Sequence, residues 1–137
     1  MTDVRPVIEY ARYFIGKPYI WGGKGPIGFD CNGLVLELLY RENLVRGDYT
    51  AQGLYNLFVE RNYRVLKSPI PGAVCFYGKQ GKITHSAFCI NEVYIIEAGG
   101  GDSTTTTVEK AEKRGAMVRE RLYNRRKDLS SIIYPWQ

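Results

Sequence analysis

Histidine and cysteine are scarce in this chain: one and three among 137 residues. The cysteines, Cys31, Cys75 and Cys89, are odd in number and show no CxxC spacing, so neither a disulfide framework nor a zinc ribbon is indicated, and no metal site is expected. Long apolar runs are missing as well. Nothing nears the ~18 residues that a membrane span needs, which speaks against membrane insertion. The opening MTDVRPVIEYARY has no charged-then-apolar leader. A chain made in the cytoplasm, or a mature form freed of its leader, is therefore expected. Repeats and low-complexity tails are also absent.

Hydrophobic residues make up 45% and charged residues 24%, enough apolar material for a core without staples. The length suits one domain, residues 1–137. The net charge of +5 favours polyanionic partners such as nucleic acid, anionic lipid or an acidic wall polymer, and equally serves plain solubility.

Residues 3 to 15 read as an amphipathic helix, capped by Asp3 or Thr2, with Val7, Tyr10, Ala11 and Phe14 on one face. GKPYIWGGKGPIGF, residues 16 to 29, is a long irregular loop. A second, central helix starts with Asp30 as N-cap and runs to about Asn43. Thr50 caps a third helix, AQGLYNLFVERN, and SPIPG at 68–72 is a turn. The runs AVCFY, ITHSAFCI and VYIIEA then predict an antiparallel meander, with Cys75 and Cys89 as small core residues. GGGDSTTTT reads as a loop rather than a strand, VEKAEKR as a short helix, and AMVRERLY and SSIIYPW as last strands. Helices first and strands after indicate an α+β fold, N-terminal helices packed on an antiparallel sheet.

Cys31 falls in the first turn of the central helix. It could be core filler, a metal ligand, half a disulfide or a nucleophile. Free amides and the helix macrodipole favour a thiolate there, which suits the nucleophile. His85 sits mid-strand, and simple alternation puts Ile83, His85, Ala87 and Cys89 on one face. Glu97 follows four apolar residues and needs a partner if buried. The hairpin register decides whether it meets His85. A two-residue loop sets Glu97 opposite Ser86, on the wrong face. An odd loop, for example residues 90 to 92, sets it opposite His85, where it would accept the Nδ1–H.

PYIWGG with GFDCNGLV, then ITHSAF, then an apolar strand ending in a polar residue before Ala-Gly, resembles the NlpC/P60 peptidases of bacterial cell walls. The resemblance runs from about Ile8 to Gly100, and the C-terminal third resembles phage-type members. It implies a papain-like fold with Cys31 as nucleophile, His85 as base and then acid, and Glu97 as the orienting third residue. It also implies Tyr19 beside the oxyanion site, with Asp30 capping the helix and recognising the amine end of a peptide. Asn32 joins that substrate-binding set at the place where members usually carry Ser, a departure that bears on recognition of the peptide N-terminus. Glu97 stands where members have a second His, Asn or Gln, and its charge should hold the imidazolium more tightly.

The expectation is a monomeric cysteine endopeptidase that needs no cofactor. It would cut peptidoglycan stem peptides at the D-γ-glutamyl–diamino acid bond and act at the cell wall, as a phage virion or lysis protein for instance. The alternatives are an amidase on the same scaffold and a non-catalytic tail or wall-binding component. A nucleic-acid binder rests only on charge: RERLYNRRK at 119–127 reads as a solvated loop and strand face, with no groove-reading motif.

Overall fold

The computed structural model describes residues 2–25 and 27–136. Helix α1 (Arg5–Tyr13) carries Pro6 in its first turn, where a missing N–H costs nothing, and buries Val7, Ile8 and Ala11. Its start differs from the expectation. Val4 occupies the N-cap position without a side-chain cap bond, and Asp3 instead accepts from the Arg5 backbone N–H and guanidinium. Asp3 lies one residue too early to cap, and the neighbouring cation claims it. Helix α2 (Cys31–Arg41) is capped by Asp30, whose carboxylate accepts the Gly33 N–H at 2.7 Å. It stops before Asn43, which takes a left-handed φ of 57°. Helix α3 (Ala51–Glu60) is capped by Thr50, which accepts from Gly53 N.

The strands are β1 (Arg64–Leu66), β2 (Val74–Lys79), β3 (Lys82–Cys89), β4 (Tyr94–Gly99), β5 (Met117–Leu122) and β6 (Leu129–Tyr134), with α4 (Val108–Arg114) before β5. They form one antiparallel sheet in the order β1-β6-β2-β3-β4-β5. β2, β3 and β4 are the expected meander. β6 returns to lie beside β2, and the three-residue edge strand β1, too short to stand out in the sequence, pairs with it. The threonine run stays a loop whose last member, Thr107, caps α4.

Alternation along β2 sends Val74 and Phe76 toward the helices and Cys75 and Tyr77 to the far face. Leu34 and Leu38 of α2 and Leu54 and Phe58 of α3 fill the helix side, and Phe58 meets Phe76 edge-on at 5.6 Å. Each such side chain contributes roughly 1.5–3 kcal/mol on burial, so α2 rests on a stiff floor. On the far face the buried thiols of Cys75 and Cys89 lie 3.4 Å apart.

Two irregularities in β3 and its hairpin decide the site. Tyr77 pairs with His85 but Gly78 pairs with Ile83, so Thr84 is an extra residue, a β-bulge. Ile83 therefore joins the helix-side core with Phe88, and the simple alternation expected for residues 83 to 89 breaks there. Between β3 and β4 the paired residues are Phe88 with Ile96 and Cys89 with Ile95, and Ile90 N donates to Tyr94 O. The connection is thus three residues, 91–93, held by the Asn91 side chain, which accepts from the N–H groups of Val93 and Tyr94. An odd loop or a bulge was required; the loop is odd, but it sits one residue later than residues 90 to 92. Continuing this register puts Glu97 across from Ala87, diagonal to His85 and on its face, rather than directly opposite His85.

Candidate active site

Cys31 occupies the first position of α2, half-buried, where its own amide has no intrahelical acceptor. The bulge turns the Thr84 carbonyl toward it, and the Cys31 Sγ–H donates to that oxygen at 3.9 Å. His85, the next residue, lines the same cavity as Cys31 and Glu97. Its ring rests against Tyr77, centroids 5.4 Å apart, and its Nε2 lies 2.9 Å from Glu97 Oε1. The contact therefore uses Nε2 and not the expected Nδ1. An imidazole has two nitrogens, so Nδ1 is the one left for the sulfur. Burial opposes a charged ring, but hydrogen bonds to Cys31 and Glu97, and the charges of both, outweigh it and lift His85 to about 9.

Glu97 is buried between two cations. Burial works to raise its carboxyl, yet the His85 hydrogen bond and charge, followed by the charges of Arg119 and Arg125, hold it below the ordinary carboxylate range. Arg119 is its direct cross-strand partner on β5, with Nε 3.6 Å from Glu97 Oε2. The pair lies against Gly99, where a Cβ would stand 2.8 Å from Glu97 Oε2. A buried carboxylate demands a cation, and that signal was available in the sequence. Which of the many arginines would answer it was not.

The other expected residues surround the thiol. Tyr19 lines the clefts on both sides of Cys31, its ring against Gly101. Burial first, and then the charges of Cys31, Asp30 and Asp102, push its hydroxyl well above the usual range, so it keeps its proton and can donate. Asp30 is raised by burial, against the hydrogen bonds it receives from the backbone of Gly33, Gly22 and Asn32. Asn32 lines the cleft with both ends of its amide engaged: Nδ2 donates to Tyr49 O at 2.5 Å, and Oδ1 accepts from Ser86 Oγ at 2.8 Å. It ties α2 to β3 and keeps Cys31 beside His85.

Two cavities meet at Cys31. One, about 480 Å³, holds Lys24, Asp30, Asp48 and Tyr49. The second, about 350 Å³, holds His85, Glu97 and three arginines, Arg119, Arg125 and Arg126. Those arginines belong to the segment expected to be a solvated face. Instead, β5 and the turn after it carry them to the cavity wall, and Arg126 stacks over Tyr77 at 5.3 Å. A larger space of about 690 Å³, near Tyr134 and Trp136, holds neither a cysteine nor a histidine. Among the described residues no cluster could hold a metal ion, and no helix is long and apolar enough to cross a membrane.

Gly33 allows α2 to approach the loop before it, because a Cβ there would overlap the Gly23 carbonyl oxygen. Gly33→Ala is expected to push the helix start outward. The cost should be on the order of 1–3 kcal/mol, and turnover should fall more than stability, since Cys31 moves with the helix. Thermal melts and turnover measured side by side check this; a variant with parental turnover would contradict it.

The model of the NlpC/P60 family matches residues 16–126. Dipeptidyl-peptidase 6 of Lysinibacillus sphaericus is 31% identical over 93 residues, covering 65% of this chain and 34% of its own length. Gamma-DL-glutamyl hydrolase of Bacillus subtilis is 28% identical over 103 residues, covering 73% of this chain and 24% of its own. The chain thus spans about a third or less of these curated relatives. Among solved structures, the peptidoglycan hydrolase RipB of Mycobacterium tuberculosis superimposes with a TM-score of 0.69 at 21% identity, over 98% of this chain and 67% of that one. This last likeness bears on the fold alone.

Proposed function

We propose a specific reaction for this chain, which belongs to the NlpC/P60 family: thiol-dependent hydrolysis of the D-γ-glutamyl–diamino acid bond in peptidoglycan stem peptides. The observation that carries it is the half-buried Cys31 thiol sharing a cavity with the buried His85–Glu97 pair, His85 being lifted to about 9 by its two partners. A ring so held is an imidazolium at neutral pH, and it stands beside the sulfur as the proton carrier the reaction needs.

The Cys31 thiolate attacks the γ-glutamyl carbonyl carbon. The oxyanion is met by the Cys31 amide and the protonated Tyr19 hydroxyl. The tetrahedral adduct collapses as His85 gives its Nδ1 proton to the leaving amine, leaving a thioester. A water then attacks the thioester while His85 takes up its proton. Release of the acid restores thiolate and imidazolium. Glu97 keeps the ring oriented through Nε2 and stabilises its positive state. Asp30, in the cavity on the other side of the sulfur, lies where the free amine end of a stem peptide would be read, and Asp48 in the same cavity is already paired with Lys24 at 2.7 Å. The acyl choice is supported by the name of the Bacillus subtilis relative, a γ-glutamyl hydrolase.

The test is digestion of purified peptidoglycan followed by mass spectrometry of the new termini, with Cys31→Ala as control. Fresh diamino-acid amines that the control lacks are expected. Fresh L-alanine amines would replace this reading by an amidase. Wall binding without any release would replace it by a non-catalytic wall-binding role.

A further inference from the structure

A general acid must stand beside the atom it protonates. On the reaction proposed above, the residue carrying the leaving amine therefore extends over His85. It enters the cavity that His85 lines, not the one that holds Asp30 and Asp48. The Asp30-side cavity has one cation, Lys24, already paired with Asp48, whereas the His85-side cavity has three guanidiniums beside Glu97 and Asp102. The chemistry accounts for Glu97 in the His85-side cavity, but not for three guanidiniums there.

Their partners separate them. Arg126 is satisfied by Asp128 through contacts of 2.9 and 2.7 Å and by the Tyr77 ring. Arg119 faces Glu97 at 3.6 Å, beyond hydrogen-bond range, and its buried Nε has no hydrogen-bond partner among the described residues. Its terminal nitrogens lie over the backbone of Gly99 and Gly100, both on the cavity wall. Arg125 is exposed to the cavity and has no carboxylate within ion-pair distance among the described residues. Asp102 also reaches this wall, but it is drawn to Arg114 at 3.1 Å. Beside the imidazolium, then, the cavity offers positive charge with unfilled donor positions. A neutral or cationic leaving residue would leave these unmet. A carboxylate would fill them with charge-assisted hydrogen bonds.

We propose that Arg125, backed by Arg119, forms a carboxylate subsite for the residue that carries the leaving amine. The enzyme then selects a diamino acid with a free distal carboxylate over the same residue amidated, and over lysine. Arg125 is a specificity residue. Arg119 lies directly against Glu97, while Arg125 acts on it through charge alone, so Arg125 is the cleaner one to replace.

The test uses L-Ala-D-γ-Glu-diaminopimelyl-D-Ala with the distal carboxylate free, the same peptide amidated there, and the lysine analogue. Cleavage is measured with the parent chain and with Arg125→Gln, and binding is measured calorimetrically with Cys31→Ala. The parent should prefer the free acid by roughly tenfold in kcat/KM, mostly through KM. Arg125→Gln should treat acid and amide alike, its kcat/KM falling more on the free acid than on the lysine peptide. Cys31→Ala should bind the acid more tightly by a similar factor. Equal treatment of acid and amide by the parent, or equal binding by Cys31→Ala, overturns the subsite. Selective binding without cleavage of any peptide overturns the proposed reaction and leaves the subsite standing.

Discussion

Cys31→Ala is expected to lower hydrolysis by a factor on the order of 10⁵–10⁶, and His85→Ala by nearly as much. The two act as one unit, so the double variant should be no worse than either single one. Without the sulfur there is no acyl-enzyme; without the ring the leaving amine departs unprotonated. Cys31 is only half-buried at the mouth of the cleft, so its truncation removes no buried contact, whereas His85→Ala leaves buried Glu97 without its ring partner at some cost in stability. Folding should survive, as circular dichroism can verify. Iodoacetamide provides a parallel readout on the parent. It should label Cys31 and spare Cys75 and Cys89, which are fully buried on the far face of the sheet. Equal labelling of all three thiols, or additive losses in the double variant, would remove the basis for a Cys–His unit.

The second large effect concerns pH. His85 titrates at about 9 in the folded chain, against 6.5 for an ordinary imidazole. Activity should hold through neutrality and fall on the alkaline side near pH 9, where the leaving-group acid is lost. Glu97→Gln keeps a hydrogen-bond acceptor but deletes the charge that favours the imidazolium. The alkaline limb should then move toward lower pH, with a loss on the order of 10²-fold at neutral pH. A rate lost with the limb unmoved would assign Glu97 to structure alone.

Stability carries the same signature. Because the His85 value is raised on folding, its contribution is complete below about pH 6.5 and is lost as pH climbs through about 9. Glu97 is lowered on folding, so its contribution is present above about 4.5 and is lost as pH falls below that. The stability gap between the parent and His85→Ala should be widest between these limits and should close toward pH 9. Urea titrations across the range measure it.

The sequence by itself determined the parts that depend on near neighbours. Asp30 bonding Gly33 and Thr50 bonding Gly53 each span three residues, and those two helix starts were legible from them. So was the placement of Cys31 at a helix start, and the order of cysteine, histidine and a third polar residue. What only the tertiary structure decided involves register and distant strands. The Asn91 side chain makes the hairpin loop three residues long, which puts Glu97 on the face of His85. The Thr84 bulge turns a carbonyl to the thiol, and the contact of Glu97 with Nε2 leaves Nδ1 as the other ring nitrogen. The pairing of β4 with β5 brings Arg119 to Glu97, and the turn that follows delivers Arg125 to the cleft. One residue of slip in any of these ladders would reverse every side chain. Nothing within four residues of Glu97 encodes which arginine it will meet, because that contact exists only once the strands have closed on one another.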